Sequence, residues 1–294
     1  MNKHKTPERW ANDLTLMMTQ VLGQDRFPVD VAKLATEYSQ QVFPSDPITK
    51  VVSRPFDGFE GALIPRGGGS KEWGIGYSSR ITSTGRANFT LAHEFGHYLL
   101  HREKYPDGLQ CTLEQMGQWD SEYNRVEAEA NKFAAGLLMP LDDFRANIPP
   151  KSKTDFQQLG ECAERYQVSL MAATLRWLSY TQRRAMLVVS REGFILWARS
   201  SEPALKSGAY IKVSGLAPKP VPIASPIIIR SGCVGLADVV QHDTGVWLGE
   251  TATEHAMISE RHDMGLSLLI FENSGPSSGM FEEVEPDVVD RLRF

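Results

Sequence analysis

Hydrophobic and polar positions recur at helical spacing near the start of the chain. In the stretch TPERWANDLTLMMTQVLG, Thr6 can cap a helix, Pro7 fits its first turn and Gly23 its end. A second, shorter helix is predicted for FPVDVAKLATEYSQQ. The two runs that follow, FEGALIP and EWGIGYSS, have the pattern of strands, and the tip RGGGSK between them predicts a hairpin.

The middle of the chain has the pattern of further helices. One is expected from about Arg86 to His101, and the next covers SEYNRVEAEANKFAAGLLMP, which Pro140 ends. The apolar side of that second helix carries Val126, Ala130, Phe133 and Leu137. The segment DFQQLGECAERYQVSLMAATLRWLSY then has the outline of a helix-turn-helix, with Ser169 as the expected cap of its second helix.

The pattern changes to that of strands from Ala185 onward. AMLVVSREGFILWARSS predicts a hairpin, SPIIIRSG and GVWLGE predict single strands, and TEHAMISER and LSLLIFEN predict a second pair. CVGLADVVQ is interpreted as a helix between them. This succession predicts an α+β domain with an antiparallel sheet, from which NSGPSSG leads into an acidic tail.

Composition narrows the classes of protein that need to be considered. A chain of 294 residues, 41% hydrophobic and 23% charged, is long enough for roughly two or three domains. Its net charge of -5 gives no general attraction to nucleic acid or anionic membranes. Three widely spaced cysteines fit a reducing compartment, and neither a signal peptide nor an apolar run of about 18 residues is present, so we expect a soluble, cytoplasmic protein.

The stretch FTLAHEFGHYLLHR contains candidate metal ligands and a candidate catalytic base. Residues four apart share one face of a helix, so His93 and His97 can both direct a ring nitrogen at one cation, with Glu94 beside them. A zinc ion held there would acidify a water molecule, and Glu94 is the candidate general base. His101 continues the spacing, but it lies too far along the helix to reach the same ion. We interpret it as a surface residue or as one that contacts a ligand.

A catalytic zinc ion needs a third protein ligand. Glu122, Glu127 and Glu129 all lie on the helix that follows, and periodicity alone does not choose between them. Glu127 shares its face of the helix with small residues, which would allow close approach to the helix that carries His93 and His97. For Glu122 and Glu129, a solvated carboxylate is the expected state.

Two stretches, FTLAHEFGHYLLH and, about thirty residues later, EAEANKFAAGLLMP, resemble the paired motifs of the ImmA/IrrE metallopeptidases. The resemblance covers roughly residues 10–180. It implies that His93, His97 and Glu127 hold zinc, or another divalent ion such as Mn2+ in the cell, and that Glu94 is catalytic. It further implies a zincin-like fold and a substrate that is a helix-turn-helix transcriptional repressor, whose cleavage derepresses stress-response or mobile-element genes.

The resemblance also implies a domain order. We expect a zincin-like metallopeptidase domain at residues 1–148, a helix-turn-helix-like helical segment at 149–182, a GAF-like sensor or regulatory domain at 183–273 and a flexible acidic tail at 274–294. The helical segment carries few charges, so a structural or docking role is favoured over DNA binding. The rival function is a non-enzymatic regulator that only binds a partner protein or DNA. The oligomeric state is not predicted.

Two further interpretations concern ligands. A zincin-like peptidase binds its substrate as an added strand at the edge of the sheet, and EWGIGYSS is the candidate for that edge. In the C-terminal domain, Phe194, Trp197 and Trp247 could line a small-molecule pocket, although an aromatic core is the favoured alternative.

Overall fold

A computed structural model describes residues 5–67, 70–112, 121–213, 217–229, 238–259 and 264–272. This part of the chain divides into two compact units. The first consists of residues 5–143 and 163–169, and the second of residues 144–162 with the described residues from 170 to 272. The domain boundaries expected at residues 148 and 182 stay predictions. The expected tail at 274–294 and part of the RGGGSK tip lie outside the described residues.

Helices and strands combine into a mixed α+β fold, which confirms the predicted class. The helices are α1 Pro7–Leu22, α2 Val31–Val42, α3 Thr84–His101, α4 Ser121–Leu138, α5 Leu141–Asn147, α6 Phe156–Tyr166, α7 Leu170–Leu178, α8 Glu202–Lys206 and α9 Pro226–Ile229. The strands are β1 Ile48–Arg54, β2 Phe59–Pro65, β3 Trp73–Ser78, β4 Leu109–Thr112, β5 Ala185–Arg191, β6 Phe194–Ser200, β7 Lys219–Pro220, β8 Asp238–His242, β9 Ala252–Ser259 and β10 Met264–Phe271. Within the described ranges, no helix has both the length and the apolar character needed to cross a bilayer.

The first helix begins and ends where the sequence predicts. The Thr6 hydroxyl accepts a hydrogen bond from the backbone N–H of Arg9, at 3.2 Å, and Pro7 occupies the first turn. Gly23 follows the last residue with a φ of 60°, in the left-handed region that favours glycine. Asp30 caps α2 in the same way as Thr6 caps α1.

The first unit contains a four-stranded sheet in the order β1-β3-β2-β4. Strands β2 and β3 pair antiparallel, which confirms the predicted hairpin. Strand β1, which was not predicted, pairs parallel with β3 on its other side. Because β3 has a neighbour on both sides, the expectation that EWGIGYSS forms the sheet edge is wrong. Of the described strands, β4 ends the sheet beside β2.

Two helices occupy the segment for which a helix-turn-helix outline is predicted. Residues 167–169 separate α6 from α7, and Gln167 has a φ of 53° at this turn. Helix α7 buries Ala173, Trp177 and Leu178. The short helix α5, directly after Pro140, was not predicted.

The second unit contains a six-stranded antiparallel sheet in the order β7-β6-β5-β10-β9-β8. The predicted antiparallel C-terminal sheet is therefore confirmed, together with its hairpin β5–β6 and its pair β9–β10. The GAF-like identity of this unit stays a prediction.

Three local predictions in the second unit are wrong. SPIIIRSG contains the short helix α9, because Pro226 suits a first helical turn and the Ser225 hydroxyl accepts a hydrogen bond from the Ile227 N–H at 3.3 Å. GVWLGE forms no strand, since the Gly245 N–H donates to the Leu248 carbonyl at 2.8 Å within a turn. In CVGLADVVQ, the described residues belong to strand β8 and not to a helix.

Candidate metal centre

Helix α3 places two histidine side chains on one face. The Ser83 hydroxyl accepts a hydrogen bond from the Arg86 N–H at 3.4 Å, so the helix begins at Thr84, slightly before the predicted start. His93 and His97 follow four residues apart, and their Nε2 atoms lie 2.9 Å from each other. The two residues are 5% and 0% exposed. The predicted pair of ring nitrogens therefore converges on one buried point.

A glycine on α3 allows the next helix to come close. A Cβ atom on Gly96 would lie 2.9 Å from the ring of Phe133 and 3.4 Å from the Cα of Ala130, both on α4. A larger side chain at position 96 would push the helices apart, because real Cβ atoms almost never approach other atoms this closely. The close approach brings Glu127, which precedes Ala130 on α4, towards the histidines.

Glu127 lies beside the two histidines, and the three residues together form a candidate metal-binding group. Its Oε2 lies 3.4 Å from the Nε2 of His93, and its Oε1 lies 3.4 Å from the Nε2 of His97. One ligand atom from each of the three residues lies within 4.8 Å of the others, and all three residues are buried. The structure thus brings together the three residues that the family resemblance implies as ligands.

The other two glutamates of α4 point elsewhere. Glu122 forms an ion pair with Lys104, and half of its side chain is exposed. Glu129 was expected to be solvated, but its Oε2 lies 3.0 Å from the Nε2 of His101 and its side chain is only 33% exposed. Neither side chain joins the group that contains Glu127.

The pKa values of His97 and Glu127 are shifted in directions that favour binding of a cation. Burial and, to a smaller extent, the adjacent His93 lower the pKa of His97 to about 3, although Glu127 acts in the opposite direction. Burial would raise the pKa of Glu127, but hydrogen bonds and charge interactions with His93 and His97 outweigh that effect and hold it below its ordinary value. At neutral pH, His97 is therefore neutral and Glu127 ionised, which are the protonation states that a metal ion requires.

The chemistry of the donors fits a divalent metal ion. Two imidazole nitrogens and one carboxylate form a known ligand set of catalytic zinc sites, which keep a further position open for water or substrate. A buried carboxylate facing two imidazole rings also has capacity for a cation, because burying a charge without compensation is costly. The three side chains could thus hold an ion such as zinc.

Glu94 lies against strand β2 of the first sheet. It is 1% exposed and follows His93 directly on α3. A Cβ atom on Gly61 of β2 would overlap the Oε1 of Glu94 and would lie 2.6 Å from the Cγ2 of Thr90. The glycine therefore leaves the space that the Glu94 carboxylate occupies. This contact was not predicted, because the sequence does not show which strand faces the helix.

The Nδ1 atoms of both histidines have side-chain partners, of which the sequence suggested His101 and did not identify Asn131. His93 Nδ1 lies 2.9 Å from Asn131 Oδ1, and His97 Nδ1 lies 3.0 Å from His101 Nδ1. His101 is 5% exposed, so of its two predicted placements the surface one is wrong and the contact with a ligand is found. Its spacing of four residues from His97 was the available signal.

The aromatic residues singled out in the second unit have different environments. Phe194 is 47% exposed, whereas Trp197 and Trp247 are buried. Trp247 packs in the hydrophobic core and its indole N–H donates to Glu254 Oε2 at 3.0 Å. It also borders an open groove of about 330 Å³, lined mainly by isoleucine, valine and proline. The core alternative therefore holds for Trp247, with one edge reaching that groove.

Glu254 is a buried polar centre that the sequence did not signal. It is fully buried on β9, and four side chains donate to its two carboxylate oxygens. The donors are Ser267 at 2.6 Å, Ser225 at 2.7 Å, His242 at 2.7 Å and Trp247 at 3.0 Å. Because the donors come from separate segments, this carboxylate ties the loops of the second unit to its sheet.

Comparison with known proteins agrees with the geometry. Residues 47–178 match the family model Peptidase_M78, the IrrE N-terminal-like domain. No curated protein matches the chain. Among solved structures, the chain is similar in fold to a Mycobacterium tuberculosis transcriptional regulator, with a TM-score of 0.55 and 12% identity over 89% of this chain and 75% of that one. The family match confirms the resemblance drawn from the paired motifs, and the structural match shows the fold alone.

Proposed function

Residues 47–178 form an IrrE N-terminal-like domain, and from this premise we propose that the protein is a zinc-dependent endopeptidase that cuts a transcriptional repressor. The observation that carries the proposal is the convergence of His93, His97 and Glu127, whose ligand atoms lie within 4.8 Å of one another beside the buried Glu94. A module that only binds a partner has no need for a carboxylate next to two such histidines.

Each residue of the site has a role in peptide hydrolysis. His93, His97 and Glu127 would hold the ion through two ring nitrogens and one carboxylate. When bound, zinc supplies a positive charge that polarises a carbonyl and lowers the pKa of water. The Glu94 carboxylate takes the proton of the attacking water and delivers it to the leaving amine nitrogen. Burial of Glu94 keeps bulk water from competing for that proton.

The substrate would bind as an added strand beside β4. Strand β2 carries Gly61, which faces Glu94, and β4 is the neighbour of β2 that ends the sheet among the described strands. An extended segment placed along β4 satisfies its outward backbone groups and runs past the site. The substrate must therefore present an unfolded or loosely held segment, which favours a few cuts in a folded protein over general digestion.

A repressor is the proposed substrate because the paired motifs resemble those of regulators that act through proteolysis. The structural neighbour is itself named a transcriptional regulator. Cleavage of a helix-turn-helix repressor would release the genes that it blocks, such as those of a stress response or a mobile element. The second unit would then sense the signal that permits cleavage.

Direct DNA binding is the less supported alternative. Contact with DNA phosphates would draw on basic side chains such as the arginines on and just after α7. Arg184, however, is buried and pairs with Glu250 at 2.8 Å and 2.5 Å, so its charge is already compensated within the second unit. With a net charge of -5, the chain offers little general attraction to DNA.

The proposal is tested by incubating the zinc-loaded protein with a candidate repressor and, separately, with unfolded casein, and by following both by mass spectrometry. One or a few cuts in the repressor, abolished by Glu94→Gln, would support it. Manganese-loaded protein serves as the comparison for the metal. Extensive casein digestion would indicate a general peptidase, and no cleavage with either metal would favour a non-enzymatic regulator.

A further inference from the structure

A row of hydrogen-bonded side chains, His97–His101–Glu129, begins at the Nδ1 atom of His97, on the side of its ring away from Glu127. His97 Nδ1 lies 3.0 Å from His101 Nδ1, and His101 Nε2 lies 3.0 Å from Glu129 Oε2. His101 is buried, whereas Glu129 reaches partial solvent exposure and lies 3.9 Å from the guanidinium of Arg125. This row of side chains thus runs from the candidate metal ligand His97 to the protein surface.

The contacts define where each proton lies. If His97 Nε2 holds a metal ion, its lone pair is used there and its Nδ1 carries the hydrogen. That N–H then donates to the unprotonated Nδ1 of His101, whose own hydrogen lies on Nε2 and is donated to the carboxylate of Glu129. Every link has one donor and one acceptor. Only this arrangement satisfies all three groups while leaving His97 Nε2 free for the ion.

The neighbouring ligand is held differently. His93 Nδ1 meets the side-chain oxygen of Asn131 at 2.9 Å, and an amide oxygen can only accept a hydrogen bond. Asn131 therefore fixes the tautomer of His93 without the help of a further residue. A histidine at position 101 can accept or donate at Nδ1, so it needs Glu129 to hold its proton on the far nitrogen. This difference gives Glu129 a role that the Asn131 side does not require.

We propose that His101, with its proton held on Nε2 by Glu129, is a positioning residue that presents the Nε2 lone pair of His97 to the metal ion. The proposal rests on the proposed function, because it assumes that His97 is a ligand. Partners of this kind that orient a ligating histidine typically change metal affinity by about 10- to 100-fold when removed. His101 itself does not touch the ion.

A matched pair of variants separates acceptance of the hydrogen bond from packing. His101→Asn keeps an oxygen acceptor near the place of Nδ1. The leucine of His101→Leu has almost the same shape as that asparagine but offers no acceptor. Zinc affinity is measured by competition with a chelator, and the cobalt absorption spectrum reports the geometry around the ion. His101→Leu should bind zinc about 10- to 100-fold more weakly with an altered cobalt spectrum, while His101→Asn stays within about threefold of the wild type.

A second pair avoids the buried position, so that a failure to fold cannot obscure the result. Glu129→Ala removes the carboxylate that orients His101, and Glu122→Ala makes the same change on the same helix, where the side chain contacts Lys104 instead. We expect Glu129→Ala to weaken zinc binding by about tenfold and Glu122→Ala to leave it unchanged. Unfolding of the metal-free proteins shows whether any loss reflects stability.

The outcomes also distinguish the two proposals. A wild-type protein that binds no zinc would overturn the proposed function. Wild-type zinc binding that is equal in His101→Leu and Glu129→Ala would overturn the positioning role alone. Equal losses in His101→Leu and His101→Asn, with Glu129→Ala unaffected, would likewise contradict it and make His101 a packing residue.

Discussion

Replacement of Gly61 by alanine should misplace the general base while leaving the metal ligands in position. The added Cβ would overlap Glu94 Oε1 and approach Thr90 Cγ2 to 2.6 Å, whereas ordinary contacts begin at 3.4 Å. Strand β2 is paired with β3 and β4 on its two sides, so it resists displacement. The Glu94 carboxylate must therefore move by about 1 Å to restore ordinary contact.

The size of the effect follows from that displacement. A shift of about 1 Å in a reacting group can cost about 100-fold in rate. Overpacking a well-packed site also costs about 1–3 kcal/mol of stability. We therefore expect Gly61→Ala to fold, to keep its zinc affinity within about threefold and to lose about 100-fold in kcat/KM on a substrate that the wild-type protein cuts.

A neighbouring glycine supplies the control. A Cβ atom on Gly74 of β3 would lie 3.5 Å from the Lys50 carbonyl and 3.8 Å from that of Ile64, which are ordinary contacts. Gly74→Ala should therefore retain activity and should be neutral or slightly more stable, because alanine restricts the unfolded chain. Wild-type kcat/KM in Gly61→Ala would refute the placement of Glu94 against β2.

Two further predictions concern stability. Glu254→Ala leaves four buried donors without their acceptor and should destabilise the second unit by at least about 3 kcal/mol in calorimetry, whereas Glu202→Ala at the surface should not shift the transition. Burial would raise the pKa of Asp143, but hydrogen bonds from Arg165 and Tyr166 outweigh it and lower the pKa. A lowered carboxyl pKa stabilises the fold above the unfolded-state value, so Asp143→Asn should be less stable at pH 7, and its difference from the wild type should shrink as the pH falls below about 4 in urea titrations. A difference that is independent of pH would contradict this assignment.

The paired motifs predicted the centre of the site because its chemistry is local. His93 and His97 lie one helical turn apart, so the helix geometry alone brings their ring nitrogens together. Periodicity alone left Glu122, Glu127 and Glu129 open. The small residues on the face of Glu127 favoured it, and the family resemblance then singled it out. The structure shows why periodicity was insufficient, since the choice depends on the close approach of α4 to α3 at Gly96.

Several errors in the interpretation of the sequence concern contacts between distant segments, and others concern local turns. The parallel pairing of β1 with β3 leaves no local signal, and missing it made β3 look like an edge strand. In GVWLGE, the Gly245 N–H donates to the Leu248 carbonyl within a turn, and the Trp247 indole donates to Glu254 on β9. These contacts override the strand preference of valine and tryptophan. The orientation of His101 behind His97 likewise depends on Glu129, which approaches from another helix.

The most direct test is the zinc content of the purified protein and of its Glu127→Ala variant, measured by mass spectrometry of the metal and by chelator titration. We expect close to one equivalent of zinc in the wild-type protein. Glu127→Ala should lose that zinc while its circular dichroism spectrum is preserved. Full zinc retention in Glu127→Ala would contradict this expectation, because the third ligand would then have to come from elsewhere in the chain.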